Sequence, residues 1–140
     1  MRDLYTAHAT ARGGRIGAVV SDDGVLDLTL TRPEELGGEG GDGTNPEQLF
    51  AAGYSACFLS ALTRVAKDQG VDVTGSSITA DITLGKGDGD AYEIGAVLTG
   101  HFPALDESGG QAIMEAAHRV CPYSNATRGN VDVQLRVASS

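Results

Sequence analysis

The sequence predicts an α+β fold, and three observations carry that prediction. Several short segments alternate apolar and polar residues with the period of half-buried strands. One stretch, Leu49 to Leu62, is nearly all apolar or small and too long for a strand, so it reads as a helix. A second helical pattern sits between strand patterns late in the chain, so the two kinds of element are mixed. At 140 residues the chain has the length of a single domain, residues 1–140.

The elements follow in order. Leu4 to Ala11 alternates as a first strand. After Gly13-Gly14, Ile16 to Ser21 and Val25 to Leu30 form a hairpin, with Asp22-Asp23-Gly24 as its turn. Gly37 to Gly43 is loop. It contains a G-x-G-x-x-G match at Gly38, Gly40 and Gly43, but Glu39 and Asp42 would repel a pyrophosphate, so a nucleotide site is not expected. The long helix starts near Thr44. Asn45 can cap it, Pro46 suits its first position and Glu47 its positive end, and Gly70 stops it after about Asp68. Being apolar all round, it is expected to be buried on every side. Ser77 to Leu84 and Tyr92 to His101 form a second strand pair joined by the loop Gly85 to Asp90. The second helix covers about Asp106 to Val120, with Gly109-Gly110 blurring its start, and Pro122 biases Cys121 away from helical backbone. Val131, Val133, Leu135 and Val137 alternate as the last strand.

Composition narrows the function classes. The net charge is -9 and the pI about 4.5, and an acidic surface repels phosphate backbones and anionic lipid. Nucleic acid and membrane are therefore not expected partners. The first residues have no apolar core of a secretory signal, and no segment is expected to reach the apolar length of a membrane span. A cytoplasmic location follows as the default, where two cysteines are more often catalytic, redox-active or inert than permanently bridged.

Those cysteines are the only two sulfur nucleophiles. Cys57 lies within the apolar helix and Cys121 at the end of the second helix, an asymmetry that suits a reactive thiol with a resolving partner better than a structural staple. A buried Cys is also a common small core residue, and burial alone raises a thiol pKa, so reactivity at Cys57 requires a cation. Arg15, after two glycines, is a candidate, since its planar fork can hold a thiolate and a carboxylate together. The cysteines do not form C-x-x-C. With His8, His101 and His118 they show no zinc-ligand spacing, so no metal is expected. A Cys–His hydrolase using His118 and Cys121 lacks an orienting third group.

At these residues the chain resembles a known family. Asn45-Pro46-Glu47-Gln48-Leu49-Phe50-Ala51-Ala52-Gly53-Tyr54-Ser55-Ala56-Cys57-Phe58 is similar to the signature of the organic hydroperoxide resistance (Ohr) proteins within the OsmC-like superfamily. Val120-Cys121-Pro122-Tyr123-Ser124-Asn125-Ala126-Thr127-Arg128-Gly129-Asn130 resembles the second signature of that subgroup. Leu4-Tyr5-Thr6-Ala7, Gly13-Gly14-Arg15 and Glu35-Leu36-Gly37-Gly38 fit in the same order, so the resemblance spans nearly the whole chain. It implies an OsmC-like fold, with antiparallel sheets wrapped around a buried central helix in an intertwined homodimer. It implies a thiol-dependent peroxidase acting on organic hydroperoxides, including those of lipids, with Cys57 as peroxidatic thiolate, Cys121 as resolving thiol, and Arg15 and Glu47 as the activating pair. The implied reductant is a dihydrolipoyl group on a partner protein, or another dithiol, and no metal, flavin or nicotinamide cofactor is needed.

Two further expectations come from the residues. Phe50, Tyr54, Phe58 and Leu59 around Cys57, with Tyr123 beside Cys121, would give an apolar approach for an alkyl hydroperoxide; the plainer reading is that they are core. A non-catalytic protein holding a lipid in that cleft is the competing class. Glu47, Phe50, Tyr54, Cys57 and Ala61 share one helical stripe, yet ten residues of helix rise about 15 Å. For Arg15 to reach both Glu47 and Cys57, either the chain bends near Glu47 or the Glu47 involved comes from the partner subunit. Together with the all-round apolar helix, this predicts a homodimer.

Overall fold

Two glycine-assisted turns shape the first part of the chain. In this computed structural model, which describes residues 1–139, β1 (Ala9–Arg12), β2 (Gly17–Ser21) and β3 (Asp27–Leu30) form an antiparallel sheet in the order β1-β2-β3. Gly13 and Gly14 turn the chain between β1 and β2 with φ of 79° and 61°, a region that costs glycine little. The tip between β2 and β3 is held by Asp23, whose carboxylate accepts from the Ser21 hydroxyl and the Val25 N–H. The first strand is shorter than the expected Leu4 to Ala11. The register pairs Ala9 with Ser21, and the ladder closes with the Asp22 N–H on the His8 carbonyl at 3.0 Å, where β2 gives way to its turn.

The long helix α1 (Pro46–Gln69) begins and ends where its capping residues dictate. The Asn45 side chain accepts from the Gln48 N–H at 2.8 Å. At the other end Gly70 has φ of 69°, with its N–H on the Lys67 carbonyl and the Val71 N–H on the Ala66 carbonyl, the paired bonds of a Schellman stop. The expectation of burial on every side is corrected. Tyr54, Phe58, Ala61, Leu62 and Ala66 are buried, whereas Ala52, Ala56, Ser60 and Thr63 are exposed. The strands of one chain are too few to cover both faces of so long a helix. The expectation about membrane-span length is corrected too. At 24 residues, α1 is long and apolar enough by length and composition, because its small residues raise apolarity without bulk.

The contacts gather the chain into two compact units, Met1–Leu49 and Phe50–Ser140. In the second, β4 (Ser77–Lys86) pairs antiparallel with β5 (Tyr92–His101), from Ser77 opposite His101 to Lys86 opposite Tyr92. The chain then passes through α2 (Glu107–Val120) and α3 (Pro122–Thr127) to β6 (Val133–Val137), which pairs with β5 in parallel. The expected antiparallel sheets are thus corrected for the second sheet, which is mixed. A helical crossover after β5 returns the chain to the same end, so the next strand runs the same way. The core of this unit joins Tyr54, Phe58 and Leu62 of α1, Ala96 and Leu98 of β5, and Ile113, Met114 and Ala117 of α2.

The blurred start of α2 has a packing reason. Asp106 caps it, accepting from the Gly109 N–H at 2.7 Å. A Cβ on Gly110 would stand 2.9 Å from Phe102 and 3.0 Å from Val137, so glycine lets α2 lie close on β6.

Candidate active site

Pro122 decides where Cys121 sits. It holds Cys121 in extended backbone, φ -64° and ψ 128°, which ends α2 as expected. It also occupies the first turn of a second helix, α3, which the sequence reading did not foresee. Cys121 is therefore the junction between two helices and is fully buried. Its Sγ lies 3.9 Å from Sγ of Cys57, which is half-buried on α1; both are free thiols. Burial pushes the Cys57 thiol above its ordinary range, and the Cys121 sulfur adds to that push, while the Tyr123 backbone N–H at Cys57 pulls the other way.

In the first unit, Arg15 and Glu47 meet in a two-pronged ion pair. Nη1 donates to Oε2 at 2.8 Å and Nη2 to Oε1 at 2.6 Å. Arg15 hydrogen bonding holds the Glu47 carboxyl below its usual range despite partial burial, and Glu47 in turn raises Arg15. The fork that follows Gly13-Gly14 is thus fixed by a carboxylate on the first turn of α1.

The aromatic residues divide into two kinds. Tyr54 and Phe58 are fully buried core residues, whereas Phe50 is half-buried and Tyr123 keeps 38% of its surface exposed. The Phe50 and Tyr123 rings stand edge to face at 6.1 Å, and Tyr123 lies 5.6 Å from Tyr54. Gly53 makes room for this, since a Cβ there would meet the Tyr123 hydroxyl at 2.7 Å.

Beneath these rings is a polar cluster that the sequence reading missed. The Tyr54 hydroxyl shares hydrogen bonds with Ser124 Oγ at 2.9 Å and Thr127 Oγ1 at 3.3 Å. Ser124 Oγ also lies 2.7 Å from His118 Nδ1. Arg128 donates to the His118 carbonyl at 2.6 Å. Burial lowers the His118 pKa, and the Arg128 charge adds to the effect. Ser124 and Thr127 follow Cys121 at helical spacing in α3, which was the one available signal. Three surface clefts, lined chiefly by residues around Phe102, Tyr92 and Thr10, do not include either cysteine.

The profile of the family described as OsmC-like protein matches residues 38–136. The organic hydroperoxide resistance protein of Xanthomonas axonopodis pv. citri (strain 306) is 52% identical over 136 residues, 96% of this chain and 95% of that one. The chain belongs to the OsmC-like family, on its organic hydroperoxide resistance branch. Among this family, the organic hydroperoxide resistance protein OhrB of Bacillus subtilis (strain 168) is 50% identical over 135 residues, 96% of this chain and 98% of its own. The crystal structure of an organic hydroperoxide resistance protein OsmC from Legionella pneumophila superposes with a TM-score of 0.92 at 48% identity, covering 99% of this chain and 100% of that one. Among the described residues, two small sheets and three α-helices make an α+β architecture that is the OsmC-like fold. The matched profile takes in Glu47 and both cysteines, whereas Arg15 precedes it.

Proposed function

We propose that this OsmC-like domain, residues 1–140, is a cysteine-based peroxidase that reduces organic hydroperoxides, including those of lipids, to alcohols. One observation carries the reading: two free thiols of unequal exposure face each other at 3.9 Å. Relatives about half identical over nearly the whole chain bear the name of organic hydroperoxide resistance.

The Cys57 thiolate attacks the terminal oxygen of ROOH. The O–O bond breaks, RO⁻ leaves and takes a proton to become ROH, and Cys57 is oxidised by two electrons to a sulfenic acid. The Cys121 sulfur then attacks the Cys57 sulfur, hydroxide leaves and is protonated to water, and a disulfide forms. A dithiol, proposed as the dihydrolipoyl group of a partner protein, reduces the disulfide and is itself oxidised. In this scheme Arg15 favours the thiolate and stabilises charge on the parting oxygens, and Glu47 orients Arg15. Burial opposes ionisation of Cys57, so a cationic partner answers a need visible in the thiol's own surroundings. The half-buried Phe50 and partly exposed Tyr123 offer apolar surface for the alkyl group, while Tyr54 and Phe58 serve as the wall behind it. The proposed working form is a homodimer.

Titrating thiols after adding one equivalent of cumene hydroperoxide tests the reading. The reduced protein should lose two thiols per chain and release one equivalent of alcohol. A protein that only holds lipid would lose none.

A further inference from the structure

Resting on the peroxidase reading above, we infer that Tyr54, Ser124 and His118 are positioning residues that hold Cys121 in register with Cys57 for disulfide formation. The short helix α3 is the piece that needs holding. It has only six residues, and so short a helix has little rigidity of its own. Yet it carries Cys121 at its start, with Sγ 3.9 Å from Sγ of Cys57.

Hydrogen bonds fix this short piece from two sides. Tyr54 precedes Cys57 by three residues, so one turn of α1 supplies both an anchor for α3 and the thiol that α3 must meet. His118 precedes Cys121 by three residues and holds Ser124 from the last turn of α2. Ser124, three residues after Cys121, is the shared node. Tyr54 and Ser124 have no exposed surface, so water cannot replace a lost partner. The donors also balance. With neutral His118 donating from Nδ1–H to Ser124 Oγ, Ser124 donates to the Tyr54 oxygen, Tyr54 to Thr127 Oγ1, and Thr127 to the Ser124 carbonyl. Burial and Arg128 both favour the neutral imidazole that this arrangement uses.

Register matters because two reactions compete for the sulfenic acid on Cys57. Attack by Cys121 gives the disulfide and water. Attack on a second hydroperoxide gives a sulfinic acid and another alcohol, a product that thiols do not reverse. To form the bond, the sulfurs must close from 3.9 Å to about 2.05 Å. A loosened α3 slows the first reaction and leaves the second unchanged.

The test compares wild type with Ser124→Ala and Tyr54→Phe, following thiol loss by stopped flow and the oxidation state of Cys57 by mass spectrometry. Ser124→Ala should lose its first thiol at the wild-type rate. Its disulfide step should slow on the order of ten- to a hundredfold, the scale expected for slightly misplaced reacting atoms. Sulfinic acid should then accumulate at hydroperoxide levels where wild type ends as disulfide. Tyr54→Phe, which keeps the ring, should raise the sulfinic product in the same direction. Leu98→Val, a core change on β5, is the stability control and should partition like wild type. Disulfide yields equal to wild type in both network variants, or the same shift in Leu98→Val, would overturn the inference while leaving the peroxidase reading intact. A wild-type protein that loses no thiol defeats that reading and the inference with it.

Discussion

Cys121 Sγ lies 3.9 Å from Cys57 Sγ, and that approach raises the Cys57 thiol beyond what burial alone does. Replacing Cys121 by Ser removes the second of these two causes and leaves the first. The Cys57 pKa of Cys121→Ser should therefore fall below the wild-type value. Because the thiolate is the reactive form, Cys57 in the variant should be alkylated faster at a fixed pH below its pKa. The pH profile of iodoacetamide labelling, read peptide by peptide, checks this. A profile displaced to higher pH would show that Cys121 does not raise its neighbour.

The Arg15–Glu47 pair allows a pH-dependent test. Arg15 depresses the Glu47 pKa, so the stabilisation is fully present above the unfolded carboxyl value, about 4.3, and is lost as pH falls through the lower folded value. The pair is partly exposed, so Glu47→Gln should cost at most about 1 kcal/mol at neutral pH, and the difference from wild type should vanish in acid. Urea denaturation at several pH values measures it. Under the proposed mechanism, activity is far more sensitive: Arg15→Ala should slow hydroperoxide reduction on the order of a hundredfold while the fold persists. A near-normal rate for Arg15→Ala would remove this residue from the chemistry.

The sequence was most legible where a single residue decides local backbone. Asn45, Pro46 and Gly70 bound α1 as expected, and Pro122 ended α2. It was less legible where one residue plays two parts. Pro122 reads as a stop, and no separate pattern marks α3, which it also starts. Partnerships set by topology were hidden as well. Nothing local states that β6 runs parallel to β5, or that the β1–β2 ladder closes at the Asp22 N–H and the His8 carbonyl. The candidate site divides the same way. The sequence marks Cys57, Cys121, Arg15 and Glu47; in the structure Arg15 pairs with Glu47, and Cys121 Sγ lies 3.9 Å from Cys57 Sγ. The Tyr54–Ser124 bond joins residues 70 apart in sequence, with small hydroxyls that no pattern marks as buried.

Gly110 sets two opposing effects against each other. Alanine is favoured over glycine within a helix by about 1 kcal/mol. Its methyl group would meet Phe102 at 2.9 Å and Val137 at 3.0 Å in the core-facing surface of α2, and overpacking there costs about 1–3 kcal/mol. Overpacking should win, leaving Gly110→Ala less stable than wild type by about 1 kcal/mol. Thermal or urea unfolding decides the sign. A more stable variant would mean that α2 shifts away from β6 at little cost.

The exposed surface of the chain predicts self-assembly. Ala52, Ala56, Ser60 and Thr63 form an exposed stripe along one face of α1, opposite its buried aromatic side. Leu4, Tyr5, Ile16 and Val25 are large apolar side chains that are also mostly exposed. A second copy meeting these surfaces in two-fold symmetry would cover them. The protein should therefore sediment as a dimer at micromolar concentration. A stable, active monomer would sink the proposal. Refolding Cys57→Ser chains together with Glu47→Ala chains then locates Glu47. Each variant alone should be inactive or nearly so. If Glu47 serves the partner's Cys57, one site of the mixed dimer carries both substitutions and the other neither, so activity returns. If it serves its own chain, every site keeps one defect, and mixed dimers form but stay inactive.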